Sequence, residues 1–346
     1  MSFKITKPVR LIETFSGVGT FSMALRDLQI SYETWKTSDW DVNAVRSFKA
    51  IHFPNDNTDY SEGMSKEDLV QALYKLSISA DGKSPLAENK IKRKGEAWLR
   101  ETYNAFKATH NLGSIMNVHA EDLEIKDKNF TYLLSYSFPC QDISVAGKQA
   151  GFTKNTQTRS GLLWEIERIL NECEELNCLP DVLCMENVNA IHNKKNMSDF
   201  QMWLDFLNSK GYITSWADMN SKDYGIAQNR CRTFALSIHK SLTEEPYVFP
   251  EPIQLTSRLK DYLEKKVDAK YYINNEKAQK LIQDLINRGV LPEKKISTAL
   301  LTNKGEKFYK YTDVSGTLMA RQWKGFSTQA FEGIIENENG TEESED

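Results

Sequence analysis

Two reactive side chains follow apolar runs that are typical of buried strands. Cys140 comes directly after "TYLLSYSFP", and Glu186 lies near the end of "DVLCMEN". Taken singly, each has a structural explanation, because cysteine is often buried and a glutamate at a strand end can cap the next helix. A thiol can also act as a nucleophile, and a carboxyl group shielded from solvent can donate a proton near neutral pH. The position of both residues in the fold must decide between these interpretations.

A glycine-rich segment, "FSGVGTFSMAL", follows another apolar run near the start of the chain. Gly17 and Gly19 allow a tight turn and a close approach of a ligand to the backbone before a helix begins. Asp39 lies 22 residues after Gly17, where a carboxylate can accept hydrogen bonds from ribose hydroxyls. Trp40 could then cover an adenine ring. These residues favour an adenosine-containing ligand, and NAD and S-adenosylmethionine both satisfy them.

Polar side chains alternate with other residues at the start of a later strand. In "DYGIAQNRCRTFAL", Gln228, Arg230 and Arg232 occupy every second position. A strand places residues two apart on the same face, so we expect all three to share one. Because a guanidinium group on an inner sheet face needs an anionic or carbonyl partner, the arginines are candidate ligands for such a group.

Six apolar runs are predicted to be the strands that position these residues: 9–15, 32–38, 131–137, 181–187, 213–219 and 232–238. Helical periodicity separates several of them, at 160–176 and at 198–209, with Ser198 as the expected N-cap and Gly211 as the stop. This alternation predicts an α/β fold with a doubly wound, mostly parallel sheet. Ligands of such sheets bind at the carboxyl ends of the strands, where the thiol, the carboxyl group and the glycine turn are expected to meet.

The rest of the chain divides by pattern. Residues 61–114 are charged and are predicted to be a helical insertion between the second and third strands. The strand and helix alternation ends near residue 245. We therefore predict a catalytic and cofactor-binding domain at 1–244, a smaller C-terminal region at 245–331 and an acidic, disordered tail at 332–346.

Composition limits the class of protein. The chain has 346 residues, of which 40% are hydrophobic, enough for a sizeable core. It contains no apolar run near the ~20 residues of a membrane helix and no secretory leader, so we expect a cytoplasmic location without membrane contact. Its five cysteines form no CxxC pair, which argues against a disulfide framework or a metal site. The net charge of -4 conceals seven acidic residues within 332–346, so the remainder is slightly basic and compatible with a nucleic-acid partner.

The order of these segments resembles the cytosine-5 DNA methyltransferases of bacteria and phages. The resemblance covers residues 9 to about 240. It is carried by "FSGVG", "SDWD", "SFPCQDISVAGKQAGF", "RSGLLWEIERI", "MENV" and "QNRCR", which match the family's first eight motif blocks in order.

The resemblance implies the fold of S-adenosylmethionine-dependent methyltransferases and a set of cofactor residues: Phe15, Gly17, Gly19, Asp39, Trp40, Asp122 and Leu162. Asp39 would hold the ribose and Trp40 the adenine, with Asp122 beside the adenine amino group. The catalytic set implied is Pro139, Cys140, Glu186, Asn187, Arg230 and Arg232. Cys140 would be the nucleophile, and the other polar residues would surround a cytosine.

The chemistry explains why these residue types are needed, because carbon 5 of cytosine is a poor nucleophile. Addition of the Cys140 thiolate to carbon 6, with Glu186 protonating ring nitrogen 3, would turn the ring into an enamine. Arg232 would hold the carbonyl oxygen. Loss of the carbon 5 proton after methyl transfer then expels the thiolate. Because the reaction cannot occur inside the base stack, the cytosine must be flipped out of double-stranded DNA.

Residues 245–331 resemble the family's target-recognition region, which reads a specific sequence. The family's last two motif blocks, of the types RxLTxxExxRxxGF and GN, are not matched here. We therefore expect half of a split enzyme, or a truncated product, for which a second polypeptide supplies them, as in the two-subunit members of the family. The resemblance also implies a role in restriction-modification or in a phage.

Other functions remain open at this point. An RNA cytosine-5 methyltransferase would share the catalytic motifs, although the long second region favours DNA. A catalytically silent DNA-binding remnant or subunit is compatible with the unmatched blocks. A nicotinamide oxidoreductase is disfavoured, because simple hydride transfer has no task for a cysteine and a glutamate at adjacent strand ends.

Overall fold

The computed structural model describes residues 4–140, 159–264, 267–268, 276–289, 297–304, 306–312, 314–315, 317 and 331–335. A six-stranded sheet is formed by β1 (Val9–Thr14), β2 (Tyr32–Ser38), β3 (Thr131–Tyr136), β4 (Val182–Asn187), β5 (Tyr212–Asn220) and β6 (Cys231–His239). The spatial order is β2-β1-β3-β4-β6-β5. Neighbouring strands from β2 to β4 are parallel, whereas β6 runs antiparallel to β4. The predicted strands and the mostly parallel α/β sheet are confirmed.

The helices are α1 (Thr20–Asp27), α2 (Val42–His52), α3 (Lys66–Lys75), α4 (Glu88–Lys92), α5 (Glu96–Ala108), α6 (Leu163–Glu175), α7 (Met197–Ser209) and α8 (Glu276–Asn287). The helices predicted at 160–176 and 198–209 are therefore confirmed as α6 and α7. The predicted N-cap at Ser198 is wrong, since α7 already begins at Met197 after Asn196. A turn held by the Asn193 side chain leads directly into the helix. Gly211 adopts φ +85° directly after α7, as expected for a helix stop.

Apolar residues cover both faces of the sheet. On one face, α6 and α7 bury side chains such as Ile166, Leu170 and Trp203 against β3 and β4. On the other, Leu25 of α1 packs with a smaller set that includes Leu11 of β1. Because helices cover both faces, polar side chains can collect at the carboxyl ends of the strands.

The segment between β2 and β3 has a core of its own. Helices α3, α4 and α5 bury Leu69, Leu73, Ile91 and Leu99 in one cluster, together with Val45 of α2. Because α2 follows directly from β2, this cluster connects the helices between β2 and β3 to the carboxyl edge of the sheet.

Contacts along the chain divide it into two compact units. The first contains the described residues up to Asp218 and Arg232–Phe249, and the second contains Met219–Cys231 and the described residues from Pro250 onward. Within the second unit, β7 (Ser297–Lys304) pairs antiparallel with β8 (Glu306–Thr312) and with β9 (Phe331–Ile335). The boundary placed near residue 245 from the sequence stays a prediction. Among the described residues, no helix has both the length and the apolar character needed to cross a membrane.

Candidate active site

The register of the parallel strands brings several loops to one edge of the sheet. Thr14, the last residue of β1, pairs with Ser38 on one side and Tyr136 on the other. Tyr136 in turn pairs with Met185 of β4. The segments that follow these strands therefore begin at the same level, and the glycine turn, Asp39, Cys140 and Glu186 belong to the same edge. This is the position that the sequence motifs require.

The carboxylate of Asp39 holds the glycine turn in place. The backbone N–H of Gly17 donates to its Oδ2 at 2.9 Å, and the N–H of Asp41 donates to its Oδ1 at 2.8 Å. Desolvation by the surrounding protein raises the pKa of Asp39, while these backbone hydrogen bonds act in the opposite direction. Each carboxylate oxygen can accept a further hydrogen bond, so the group retains acceptors for hydroxyl donors.

The two glycines of the turn have different surroundings. Gly17 (φ +55°) has no atom within 4 Å of the place where a Cβ would lie, so the backbone is open on that side. At Gly19 (φ +80°) a Cβ would lie 2.3 Å from His52 Nε2 and 2.6 Å from Phe48 Cε2. Gly19 is therefore required for packing of α1 against α2, whereas Gly17 borders space that a ligand could occupy.

The residues beside the turn offer further polar and aromatic groups. The hydroxyl of Ser16 is buried and has no hydrogen-bond partner among the described residues. Phe15 has φ +53° and packs against the main core, and Trp40 is half-buried. A buried hydroxyl without a partner next to an open backbone fits a bound group that makes hydrogen bonds.

Two expected cofactor residues have local roles as well. Asp122 is exposed, and its Oδ2 accepts a 2.8 Å hydrogen bond from the backbone N–H of His119 at the start of the 3₁₀ helix Ala120–Leu123. Leu162 is half-buried, immediately precedes α6 and packs against the main core. Their suggested contacts with a cofactor stay predictions.

Glu13 is a residue of this edge that sequence reasoning missed. It is 3% exposed at the end of β1, and its carboxylate accepts hydrogen bonds from Ser22 Oγ at 2.6 Å and from the N–H of Phe21 at 3.3 Å. Burial raises the pKa of Glu13 to about 7. Because Gly19 has no side chain with which to cap α1, a carboxylate from β1 fills that role. An acidic residue inside an apolar strand, just before a glycine turn, is the signal that could have revealed it.

Asn187 connects the end of β4 to the segment that carries Cys140. Its side chain is buried, with 2% of the residue exposed, and Nδ2 donates to the carbonyl oxygen of Phe138 at 3.0 Å. The N–H of Val188 donates to Asn187 Oδ1 at 2.9 Å. Pro139 and Cys140, both half-buried, directly follow this hydrogen bond. Asn187 therefore fixes the backbone that positions the thiol.

Glu186 and Arg232 form an ion pair at the same edge. Arg232 Nε lies 3.0 Å from Glu186 Oε1, with side-chain exposures of 17% and 32%. In the antiparallel register Glu186 lies opposite Phe234, so Arg232 is its diagonal neighbour on the same sheet face. The predicted need of Arg232 for an anionic partner is met by Glu186.

The expected common face of the polar residues around Arg232 is wrong for two of the three. Only Arg232 lies in β6, which begins at Cys231. Gln228 and Arg230 precede the strand in an irregular turn, where the N–H of Arg230 donates to Asn220 Oδ1 at 3.0 Å. The N–H of Arg230 also donates to the carbonyl oxygen of Gln228 at 3.1 Å, so the chain turns tightly at Asn229 and period two does not apply there.

Sequence reasoning also missed a polar network next to Asn187. Asp218 Oδ1 accepts a hydrogen bond from Thr233 Oγ1 at 2.6 Å and lies 3.0 Å from His192 Nε2. Thr233 pairs with Asn187 in the β4–β6 register. The network thus ties β5 and β6 to the segment after β4. No simple spacing in the sequence connects these three residues.

Comparison with known proteins decides the family. The sequence profile of the C-5 cytosine-specific DNA methylases matches residues 64–345. The chain belongs to this family. Over 271 residues it is 36% identical to the orphan methyltransferase M.SssI of Spiroplasma monobiae, covering 78% of this chain and 68% of the relative. Over 281 residues it is 33% identical to the type II methyltransferase M2.ScrFI of Lactococcus lactis subsp. cremoris, covering 80% of this chain and 74% of the relative.

Among solved structures, the S. pombe Dnmt2 methyltransferase matches 80% of this chain and 66% of its own, with 17% identity and a TM-score of 0.49. That similarity is too weak to carry an argument. The family profile includes Cys140, Glu186 and Arg232, whereas the glycine turn and Asp39 precede residue 64. Family membership confirms the resemblance found in the sequence. Residues 141–158, which belong to the nucleophile motif, lie outside the described residues.

Proposed function

We propose that the protein is a DNA (cytosine-5-)-methyltransferase that modifies a flipped cytosine in a specific sequence of double-stranded DNA. The observation that carries the proposal is the hydrogen bond from Asn187 to Phe138, which ties the segment that precedes Cys140 to the end of β4, the strand of Glu186. In a chain of the cytosine-specific DNA methylase family, a thiol, a carboxyl group and a guanidinium group can together activate the cytosine ring for methyl transfer.

The cofactor in this proposal is S-adenosylmethionine, which supplies the methyl group. Asp39 would accept hydrogen bonds from the ribose hydroxyls, since both of its oxygens keep acceptor capacity. The open side of Gly17 and the buried Ser16 hydroxyl would border the same ligand. Phe15, Gly19, Trp40, Asp122 and Leu162 complete the proposed cofactor set.

The cytosine would be activated by groups of β3, β4 and β6. The Cys140 thiolate adds to carbon 6, and Glu186 provides the proton at ring nitrogen 3. Glu186 would bring this proton as a neutral carboxyl group. Arg232 would hold the carbonyl oxygen and compensate the negative charge that Glu186 acquires on giving up the proton, since the two groups lie within ion-pair distance. Pro139 and Asn187 would position the nucleophile, and Arg230 would contact the base or its phosphate.

The test is a covalent adduct with duplex DNA that contains 5-fluorocytosine, formed in the presence of S-adenosylmethionine. Fluorine at carbon 5 blocks the release of Cys140, so a stable adduct is expected with the native chain. Cys140→Ser should abolish it, while Cys178→Ser, another half-buried thiol, should not. If the native chain formed no adduct under any condition, including with a candidate second polypeptide, the proposal would be refuted.

Labelled methyl transfer and the adduct assay together address the remaining alternatives. Labelled methyl transfer to duplex DNA rather than to transfer RNA would support the DNA reaction over the RNA reaction. An adduct formed by this chain alone would contradict the expected need for a second polypeptide. The proposal also includes a role in a restriction-modification system or a phage, and a cytoplasmic location.

A further inference from the structure

A group of basic side chains marks the surface of the helices between β2 and β3. Between residues 83 and 94 there are five basic residues and a single acidic one, Glu88. Lys83, Lys90, Lys92 and Arg93 are exposed, and Lys94 is half-buried. We call Lys90, Lys92, Arg93 and Lys94 the α4 patch. In a chain with a net charge of -4, this local excess of positive charge is a feature that folding alone does not explain.

The α4 patch is held in a fixed place rather than carried on a loose loop. Ile91, within the same short helix, is fully buried in the core of α3 and α5. The amino group of Lys94 lies 4.8 Å from the centre of the Trp98 ring, a cation–π contact. Ile91 and Lys94 thus anchor the segment and leave the charges of Lys90, Lys92 and Arg93 in solvent.

Local carboxylates do not neutralise the α4 patch. Among the described residues, no carboxylate forms an ion pair with Lys90, Lys92 or Arg93. The acidic side chains nearby have other partners: Glu96 binds Arg100 at 2.7 Å, and Glu88 accepts a hydrogen bond from Gln71 at 2.8 Å. The charge of the patch therefore remains available to an external anion.

The patch also lies near the edge of the sheet that carries the site. The N–H of Ser79 donates to the carbonyl oxygen of Trp40 at 2.7 Å, and the N–H of Val42 donates to that of Ser79 at 3.0 Å. The N–H of Leu86 then returns to the carbonyl oxygen of Ile78 at 2.8 Å, closing the loop just before α4. The basic segment consequently starts beside Trp40, at the carboxyl edge of β2.

We propose that the α4 patch binds backbone phosphates of the DNA duplex on one side of the target cytosine. This inference rests on the proposed function. From β4 to β2 there are three strand spacings, about 14 Å, and a helix width adds ~10 Å. With one phosphate per ~3.4 Å on each strand, the contact falls roughly seven base pairs from the cytosine. Phosphate contacts of this kind fix the orientation of a protein on DNA and carry no sequence information.

The test compares two triple variants of the full chain. Lys90→Gln/Lys92→Gln/Arg93→Gln removes the exposed charges of the patch and keeps Ile91. The matched control, Lys4→Gln/Lys126→Gln/Lys128→Gln, removes three exposed charges at the opposite, amino edge of the sheet, where Lys7 Nζ donates to the carbonyl oxygen of Lys128. Binding to a 30-base-pair duplex is measured by fluorescence anisotropy between about 50 and 200 mM salt. Thermal unfolding checks that both variants fold.

We expect the slope of log K against log salt to become shallower by about 2 to 3 in the patch variant and to stay unchanged in the control. A patch variant with the native slope, or an equal change in both variants, would overturn the inference. Tighter binding of duplex RNA than of DNA through the patch would do so as well. If the 5-fluorocytosine adduct still formed in those cases, the proposed function would stand; if the native chain formed no adduct and bound no DNA, both would fail.

Discussion

At the scale of single residues, Glu13 connects the start of α1, after the glycine turn, to the stability of the protein. Its pKa of about 7 exceeds the ordinary value of 4.5 because the carboxyl group is buried and Ser22 and Phe21 only partly offset the desolvation. The folded state therefore binds the proton more tightly than the unfolded state. The stabilising contribution is complete below about pH 4.5 and is lost as the pH rises through about 7.

We predict that Glu13→Gln removes this pH dependence. The amide keeps an acceptor for α1 without the cost of burying a charge. The variant should match the native protein in free energy of unfolding near pH 5 and exceed it by up to about 3 kcal/mol near pH 8. Urea unfolding at the two pH values measures the difference. Equal stability of variant and native protein at both pH values would contradict the burial of a charged Glu13.

Asn187 allows the position of the nucleophile to be tested separately from stability. Asn187→Ala removes the hydrogen bond from Asn187 to the buried Phe138 carbonyl, which should cost about 1–3 kcal/mol in free energy of unfolding. Because the segment of Cys140 then loses its anchor, the rate of adduct formation with 5-fluorocytosine DNA should fall about 10- to 100-fold.

The matched control for this prediction is Asn196→Ala. Asn196 is also buried and donates to a backbone carbonyl, that of Ala190, at 2.8 Å. It should lose comparable stability, as measured by urea unfolding, and keep most of the adduct rate. Equal loss of rate in both variants would show that Asn187 acts only through global stability.

At the scale of elements, the glycine turn and α1 separate a packing role from a ligand role. Gly19→Ala should destabilise the protein by more than 2 kcal/mol, since the new Cβ meets the buried Phe48 and the residue also has φ +80°. Gly17→Ala carries only the cost of its left-handed backbone, about 1 kcal/mol.

The two variants are compared by urea unfolding and by the binding of S-adenosylmethionine measured calorimetrically. Gly17→Ala should fold and bind the cofactor at least ~10-fold more weakly, because its methyl group enters the open side of the turn. Unchanged affinity in that variant would remove Gly17 from the proposed cofactor set. A Gly19→Ala protein as stable as the native one would contradict the close packing of α1 on α2.

The elements were predictable from the sequence to the extent that they follow local patterns. The run "YETWKTS" is β2 residue for residue, because aromatic and β-branched residues, which favour strands, predominate in it. Ser198 was a wrong N-cap because Asn193, five residues earlier, starts the turn through its side chain. Gln228 and Arg230 were wrongly placed on a strand face because period-two spacing does not show where a strand begins.

The sequence predicted which residues lie at the candidate site better than it predicted the hydrogen bonds between them. Parallel strands align their carboxyl ends whatever their side chains, so the meeting of Asp39, Cys140 and Glu186 at one edge followed from topology. The link from Asn187 to Phe138, and the network of Asp218, His192 and Thr233, depend on tertiary packing between distant segments. No pattern along the chain records such contacts.

At the scale of the whole molecule, the helices between β2 and β3 have an apolar core that is separate from the main core of the first unit and includes part of α2. The core of α3, α4 and α5 includes Val42 and Val45 of α2, while the main core lies between the sheet and helices α6 and α7. Since α2 begins three residues after Asp39, a disturbance of the core of α3, α4 and α5 should reach Asp39 and the glycine turn before it reaches Glu186.

We predict that Leu99→Ala destabilises this part of the molecule selectively. Leu99 is fully buried in α5, and its truncation should cost about 2–5 kcal/mol in the smaller core. Hydrogen exchange followed by mass spectrometry should then speed up in α2 to α5, while β3, β4 and α6 keep their native protection. Leu170→Ala, at an equally buried position of α6, is the control and should raise exchange throughout the sheet. A uniform rise in Leu99→Ala would mean that the two cores unfold as one, and the α4 patch would then be as rigidly held as the carboxyl edge of the sheet.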